Sequence, residues 1–106
     1  DDGFVVLHDC NPPTEWHARE TYSFYSSPAD GAWNGTVWKA FLKRRFEKSL
    51  YSCCIDTDWG VGIISKNINI GSPTNKVNPF FEYREFDKYR KDYLNLISFE
   101  EFIKFL

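Results

Sequence analysis

The sequence predicts an α/β fold in which helices pack on a three-stranded mixed sheet. Three observations predict it: an unbroken apolar run over residues 3–8, apolar residues at helical spacing over residues 34–50, and two β-type runs over residues 51–57 and 61–66. A strand that returns through a helix forms one parallel crossover, and two β-type runs joined by a glycine-containing turn form an antiparallel hairpin. With 106 residues, the chain has the usual size of a single domain.

The first strand is predicted to be buried on both faces, because GFVVLH lacks the alternation of a half-exposed strand. Pro12 and Pro13 end it, since proline continues neither a central strand nor a helix interior. Residues 12–33 show no period and contain five aromatic side chains, so we expect a long loop. Loops of that length in a small domain are usually functional or flexible.

The crossover helix is predicted over residues 34–50, with Asn34 or Thr36 as its N-cap. Its apolar stripe consists of Val37, Trp38, Phe41, Leu42, Phe46 and Leu50. A solvated basic face is predicted on the other side, formed by Lys39, Lys43, Arg44 and Lys48. Residues 58–60 (DWG) form the predicted hairpin turn between the two β-type runs.

Two helices are predicted in the C-terminal part, residues 78–106. Proline is favoured at the first helical position, so Asn78-Pro79 predicts a helix start, and aromatic residues continue at helical spacing to Tyr93. Ser98 and Glu101 have the spacing of a capping box and predict the start of the last helix. The expected order is strand, loop, helix and hairpin over residues 1–66, a turn-rich loop, and these helices, all within one domain over residues 1–106.

Composition excludes several classes of function. A net charge of −2 and a pI near 5.6 argue against nucleic-acid binding. No segment has the roughly 18 apolar residues of a membrane span, and the acidic start does not resemble a signal peptide. The three cysteines include an adjacent pair and show no zinc spacing, which favours reduced thiols and a cytoplasmic location.

Four segments, taken in order, resemble the C-terminal part of class I S-adenosylmethionine-dependent methyltransferases. Residues 3–9 (GFVVLHD) are similar to the fifth strand of that fold, especially in sugar- and macrolide-modifying relatives with a His-Asp pair. Residues 33–42 (WNGTVWKAFL) are similar to the helix that follows, and residues 56–64 (DTDWGVGII) to the sixth strand, turn and seventh strand. The tail YLNLIS, residues 93–98, resembles endings in the same group.

The resemblance implies a Rossmann-like domain that is truncated, because the chain has no counterpart of the cofactor-binding half. No Gly-rich turn follows a strand and opens a helix, and the glycines at 60 and 62 precede a strand instead. We therefore expect no cofactor to bind this chain alone, whereas a full-length relative would use S-adenosylmethionine and Mg²⁺. The expected partner is a missing N-terminal half or a second copy of the chain.

Three residues are candidates for acceptor-side chemistry. The resemblance implies that Asp9 binds a divalent cation; the alternative is that Asp9 accepts backbone hydrogen bonds in the turn that follows it. His8 has the pKa of a general base, or is a packed histidine. Strand alternation would place it on the face opposite Asp9 unless the strand has already ended. His17 would reach Asp9 if the loop folds back, forming a carboxylate–histidine cluster with Glu15 and Glu20.

Two hypotheses for the function follow. In the first, the chain is the acceptor-side segment of a methyltransferase that modifies a sugar hydroxyl and is inactive alone. In the second, it is a non-catalytic homodimeric interaction module, because its first strand has a bare edge.

Overall fold

The computed structural model describes residues 3–20 and 32–106, so residues 21–31 of the predicted loop lie outside the described part. The elements of the described residues follow in chain order: β1 (Val5–Leu7), α1 (Val37–Arg45), β2 (Tyr51–Ile55), β3 (Val61–Ser65), α2 (Tyr83–Lys88), α3 (Arg90–Leu94), β4 (Leu96–Ile97) and α4 (Phe99–Ile103).

The strands form one mixed, open sheet in the order β1-β3-β2-β4. The predicted hairpin is confirmed, because β2 pairs antiparallel with β3 and Cys53 lies opposite Ile63. Strand β1 also pairs antiparallel with β3, with Leu7 opposite Gly62. Strands β1 and β2 therefore run in the same direction, as a crossover through α1 requires, but β3 lies between them. The α/β class with a mixed sheet and packed helices is confirmed.

The sheet has four strands, so the prediction of three strands is wrong. The additional strand β4 pairs parallel with β2. Two backbone hydrogen bonds connect the two segments: Cys54 N–H donates to Asn95 O (3.1 Å), and Asp56 N–H donates to Ile97 O (2.8 Å). With only two residues, β4 has no alternation that a sequence pattern can register. Asn95, with φ 48°, makes the left-handed turn that ends α3 and directs the chain into this strand.

The inner strands are buried on both faces, as the alternation of their side chains shows. Cys54 and Ile64 belong to a core cluster with α1, α2 and α3, while Cys53 and Ile63 belong to a second cluster with Phe102 of α4. Neighbouring residues of a strand point to opposite faces. Helices therefore cover both sides of the β2–β3 hairpin.

Strand β1 does not have the predicted burial on both faces. Val5 is 57% exposed and Val6 is 61% exposed. The physical reason is the position of β1 at the edge of the sheet, where β3 is its one neighbouring strand among the described residues. An unbroken apolar run thus marks an exposed edge strand here.

The buried face of α1 is confirmed, with Trp38, Phe41 and Leu42 in the core. The ring of Trp38 lies 4.7 Å from that of Phe86 in α2. Arg45, in the last turn of α1, was not part of the predicted basic face, and it is 3% exposed.

The C-terminal helices differ from the prediction at their start. The predicted single helix from Pro79 begins only at Tyr83 and is divided at Tyr89. Asn78 Oδ1 accepts a hydrogen bond from Glu82 N–H at 2.9 Å, and Phe81 has φ 52°, so a turn precedes the helix. The capping box of Ser98 and Glu101 is confirmed. Within the described residues, the helices are all too short or too polar to span a bilayer.

Candidate functional site

The candidate site lies where the end of β1 meets the turn between β2 and β3. The backbone pairing of β1 with β3 continues past the strand, through Cys10 N–H to Gly60 O (2.9 Å) and Asn11 N–H to Trp59 O (2.8 Å). The residue at position 60 must be glycine, because its φ is 89° and an added Cβ would lie 2.4 Å from Cβ of Asn11. The turn therefore holds the segment after β1 at close range.

His8 lies between two carboxylates at this junction. Its Nε2 is 3.0 Å from Oδ2 of Asp58, and its Nδ1 is 3.2 Å from Oδ1 of Asp9. The hydrogen bond to Asp58 raises the pKa of His8 above its ordinary value, and the negative charge of Asp9 adds to this effect. The side chain of His8 is 56% exposed, so its ring is accessible to a ligand.

His8 and Asp9 lie beyond the end of the strand, which is the case in which they need not point to opposite faces. Strand β1 ends at Leu7, and Asp9 has φ 63°, so the alternation of a strand does not apply to these two residues. The left-handed backbone of Asp9 turns its carboxylate back to the imidazole. His8 is an exposed, ion-paired histidine and not a packed one.

His17 is near the same turn but has different partners. Its Nδ1 is 2.7 Å from Oγ1 of Thr14, and its ring centroid lies 5.3 Å from that of Trp59. Burial lowers the pKa of His17, and the charge of Arg19 lowers it further. In the described part of the chain, the hydrogen bond of the His17 ring goes to a hydroxyl and not to a carboxylate.

The predicted cluster of His17 with acidic residues is not formed among the described residues. Glu20 is instead directed at α1, where Oε1 lies 3.6 Å from Nζ of Lys39. The backbone carbonyl of His17 accepts hydrogen bonds from the N–H groups of Asn34 and Gly35. His17 therefore joins the loop to the start of α1 and packs on the turn.

The site contains a residue that the sequence prediction assigned to turn chemistry alone, Asp58. Asp58 and His8 are 50 positions apart. No spacing motif connects them, and they meet through the antiparallel pairing of β1 with β3. The sequence feature that pointed to Asp58 was an acidic turn between two predicted strands. It indicates a partner for His8 only when the pairing of β1 with β3 is known.

Helices α2 and α3 hold the loop after β1 from the other side. Arg90 donates hydrogen bonds from Nη1 to Oδ1 of Asn11 (2.5 Å) and to the carbonyl of Pro12 (2.6 Å). The hydroxyl of Tyr83 donates to the same carbonyl at 2.8 Å. These bonds restrict the backbone that follows the His8–Asp9 pair.

The predicted Mg²⁺ ligand Asp9 is already paired with a side chain at this junction. Within residues 3–20 and 32–106, no group of three or more His, Cys, Asp or Glu side chains has the arrangement to hold a metal ion. The carboxylate of Asp9 is paired with His8, and its neighbour Cys10 is buried and is a poor ligand for a hard cation. Metal binding by Asp9 stays a prediction.

The three cysteines are buried, unpaired with one another, and part of the core. Burial raises the pKa of Cys10 to about 12 and that of Cys53 to about 11, and it raises the pKa of Cys54 as well. Because the thiolate is the nucleophile, these groups are poor nucleophiles in the folded state.

No protein-family model, curated protein or solved structure matches this chain. The resemblance to methyltransferases therefore stays a prediction from the sequence.

Proposed function

We propose that the chain is the acceptor-side segment of an S-adenosylmethionine-dependent methyltransferase that modifies a sugar hydroxyl. The observation that carries the proposal is the placement of His8 between Asp9 and Asp58 at the carboxyl end of β1. Ligands of α/β proteins bind at the carboxyl ends of strands. Further support comes from the adjacency of β1, β2 and β3 in one sheet, since these strands contain the segments that resemble the fifth, sixth and seventh strands of the family.

His8 has the surroundings of a general base. In O-methylation, the hydroxyl oxygen forms a bond to the methyl carbon, the carbon–sulfur bond breaks, and the hydroxyl proton must be removed. Asp58 would accept the Nε2–H of His8 and fix the tautomer, so that Nδ1 takes the proton on the side of Asp9. Asp9 would then stabilise the imidazolium that forms.

The proposal includes a second component that holds the methyl donor. We expect it to supply a cofactor-binding half that adds its sheet to the bare edge of β1, where Val5 and Val6 are exposed. Such a half would cover apolar side chains and bring the donor next to His8. S-adenosylmethionine supplies the methyl group when that half is present.

The acceptor side is tested by NMR titration of the ¹⁵N-labelled chain with a panel of methyl glycosides. We expect one of them to shift the amide signals of His8, Asp9 and Trp59, and we expect the shifts to disappear in Asp58→Asn. Glu100→Gln, a carboxylate-to-amide change on α4, is the matched control and should keep the shifts. A panel that leaves these signals unchanged would contradict the proposal.

The donor side is tested by calorimetric titration with S-adenosylmethionine. The chain alone should not bind it, because the described residues provide no Gly-rich turn between a strand and a helix. Micromolar affinity would contradict the assignment of the donor site to another component.

A second candidate function, a homodimeric interaction module without catalysis, is favoured by the same exposed edge of β1. Light scattering across a range of concentrations distinguishes the two. A dimer of the wild-type chain that becomes monomeric in Val6→Lys, together with no response to glycosides, would favour the module. A monomer at high concentration would exclude it.

A further inference from the structure

Arg45 is a buried cation with no carboxylate partner. It is 3% exposed and forms no ion pair with any described residue. Its guanidinium donates to five oxygens, which are the carbonyls of Tyr93 (2.9 Å), Ser72 (2.7 Å), Ser52 (3.2 Å) and Asp92 (3.3 Å) and the hydroxyl of Ser52 (2.9 Å). All of these acceptors are neutral, so the charge is solvated by dipoles alone.

Among the described residues, Nη2 of Arg45 has fewer acceptors than N–H groups. A guanidinium has five N–H groups, two of them on Nη2. Within the described part of the chain, Nη2 has a single acceptor, the carbonyl of Asp92. An anion next to Nη2 would satisfy the remaining N–H and balance the buried charge.

A polar groove of about 580 Å³ is lined by this same arginine. Among its lining residues, Lys76 and Lys91 add two positive charges and Asp92 adds one negative charge. Asp92 is 65% exposed and lies 3.9 Å from Nζ of Lys76. The balance of charge in the groove is therefore positive, and Arg45 is the buried residue among its charged lining residues.

The wall of the groove is held in place by backbone contacts. The N–H of Thr74 donates to the carbonyl of Arg45 (2.9 Å), and the N–H of Ser52 donates to the carbonyl of Gly71 (3.0 Å). Gly71 permits this close packing, because a Cβ there would lie 1.9 Å from Nδ2 of Asn95. The backbone of this wall would thus be ordered before a ligand binds.

We propose that this groove binds the phosphate monoester of a small metabolite, with the phosphate held by Arg45, Lys76 and Lys91. Arginine and lysine are the usual ligands of phosphate oxygens. The volume exceeds that of a bare phosphate and falls within the range of small-molecule sites. The groove lies at the start of β2, whereas the His8 site lies beyond the end of β2. Phosphate binding in the groove therefore does not depend on the function proposed above.

The test is a titration of the ¹⁵N-labelled chain with glucose 6-phosphate, with glucose and with sodium chloride at matched ionic strength. Glucose 6-phosphate should shift the amide signals of residues 71–76 and 91–95, whereas glucose and chloride should not. In the double variant Lys76→Gln/Lys91→Gln, the affinity should fall by about tenfold or more, because two charge-assisted contacts are lost. Circular dichroism checks that this variant, changed only at half-exposed or exposed positions, is folded.

The matched control is Lys43→Gln/Lys48→Gln, which removes the same amount of charge from two exposed positions, one in α1 and one just after it. This variant should bind glucose 6-phosphate as the wild type does. Equal losses in the two variants would indicate a general charge effect and overturn the proposal, as would shifts no larger than those from chloride. Inorganic phosphate with an affinity equal to that of glucose 6-phosphate would overturn the assignment to a monoester.

Discussion

At the scale of single residues, two ionisable side chains of this protein form hydrogen bonds with residues that are distant in sequence. His8 is paired with Asp58 across the turn, and Arg45 is bound by carbonyls of α3 and of the loop after β3. The charge of Arg45 alone would favour an exposed position, whereas the structure buries it. The tertiary pairing of strands and helices determines the partners of both side chains.

Removing the partner of His8 should lower its pKa. In Asp58→Asn, the hydrogen bond that most raises this pKa loses its charge, so the value should fall toward the ordinary one. NMR titration of the imidazole signals measures it. Glu100→Gln should leave the His8 pKa unchanged.

The same pair predicts a dependence of stability on pH. Because the folded pKa of His8 is raised, its contribution to stability is fully present below the unfolded pKa of about 6.5 and is lost as pH rises through the folded pKa. Asp58→Asn should therefore reduce the free energy of unfolding near about pH 5.5 and leave it nearly unchanged near about pH 9. Urea titrations at the two pH values measure the difference, and an equal loss at both would contradict the role of the ion pair.

The cysteines should react only when the protein unfolds. Burial raises the pKa of each thiol, so little thiolate exists near neutral pH in the folded chain. Ellman's reagent should label them slowly in buffer and rapidly in about 6 M urea, an unfolding condition for most small domains. Rapid labelling of one thiol in buffer would show that it is accessible.

At the scale of elements, the close contact of α1 with the sheet depends on Gly62 in β3. A Cβ at this position would lie 2.7 Å from Cδ1 of Phe41 and 2.9 Å from Sγ of Cys10. Gly62→Ala should destabilise the protein by about 1–3 kcal/mol through overpacking. Chemical denaturation measures the loss. Gly3→Ala is the matched control, because a Cβ there has open space around it.

The elements also show how far the sequence could predict the fold. The hairpin, the buried face of α1 and the capping box of Ser98 follow from local patterns, and the structure confirms them. Strand β4 and the late start of the C-terminal helix could not be predicted, because two-residue pairing and the Asn78 turn give no periodic signal. In the site, His8 and Asp9 were identifiable from the strand end, whereas Asp58 required the register of β1 on β3.

At the scale of the whole molecule, burial is uneven across the sheet. Helices cover both faces of β2 and β3, while β1 is an exposed edge. Regions with few buried contacts open at lower free energy than the core does. The candidate site therefore joins an exposed edge strand to the turn of a hairpin that is buried on both faces.

Hydrogen exchange should follow this gradient. Amides of Cys53, Cys54 and Ile63 should exchange slowest, at rates governed by global unfolding, and amides of β1 should exchange faster through local opening. Mass spectrometry of peptides from the two regions measures the rates. Equal protection of β1 and β2 would show that the edge strand opens only with the whole domain.

The bonds from Cys10 and Asn11 to the turn at residues 59–60 have a consequence for the order of folding. The β2–β3 hairpin closes a short loop and can form early, whereas docking β1 on it closes a loop of about fifty residues, which costs more chain entropy. His8 would then reach Asp58 in one of the last steps of folding. In a chain still being synthesised, or in one with an incomplete sheet, His8 and Asp58 would be apart. The candidate site would then form only when the sheet is complete.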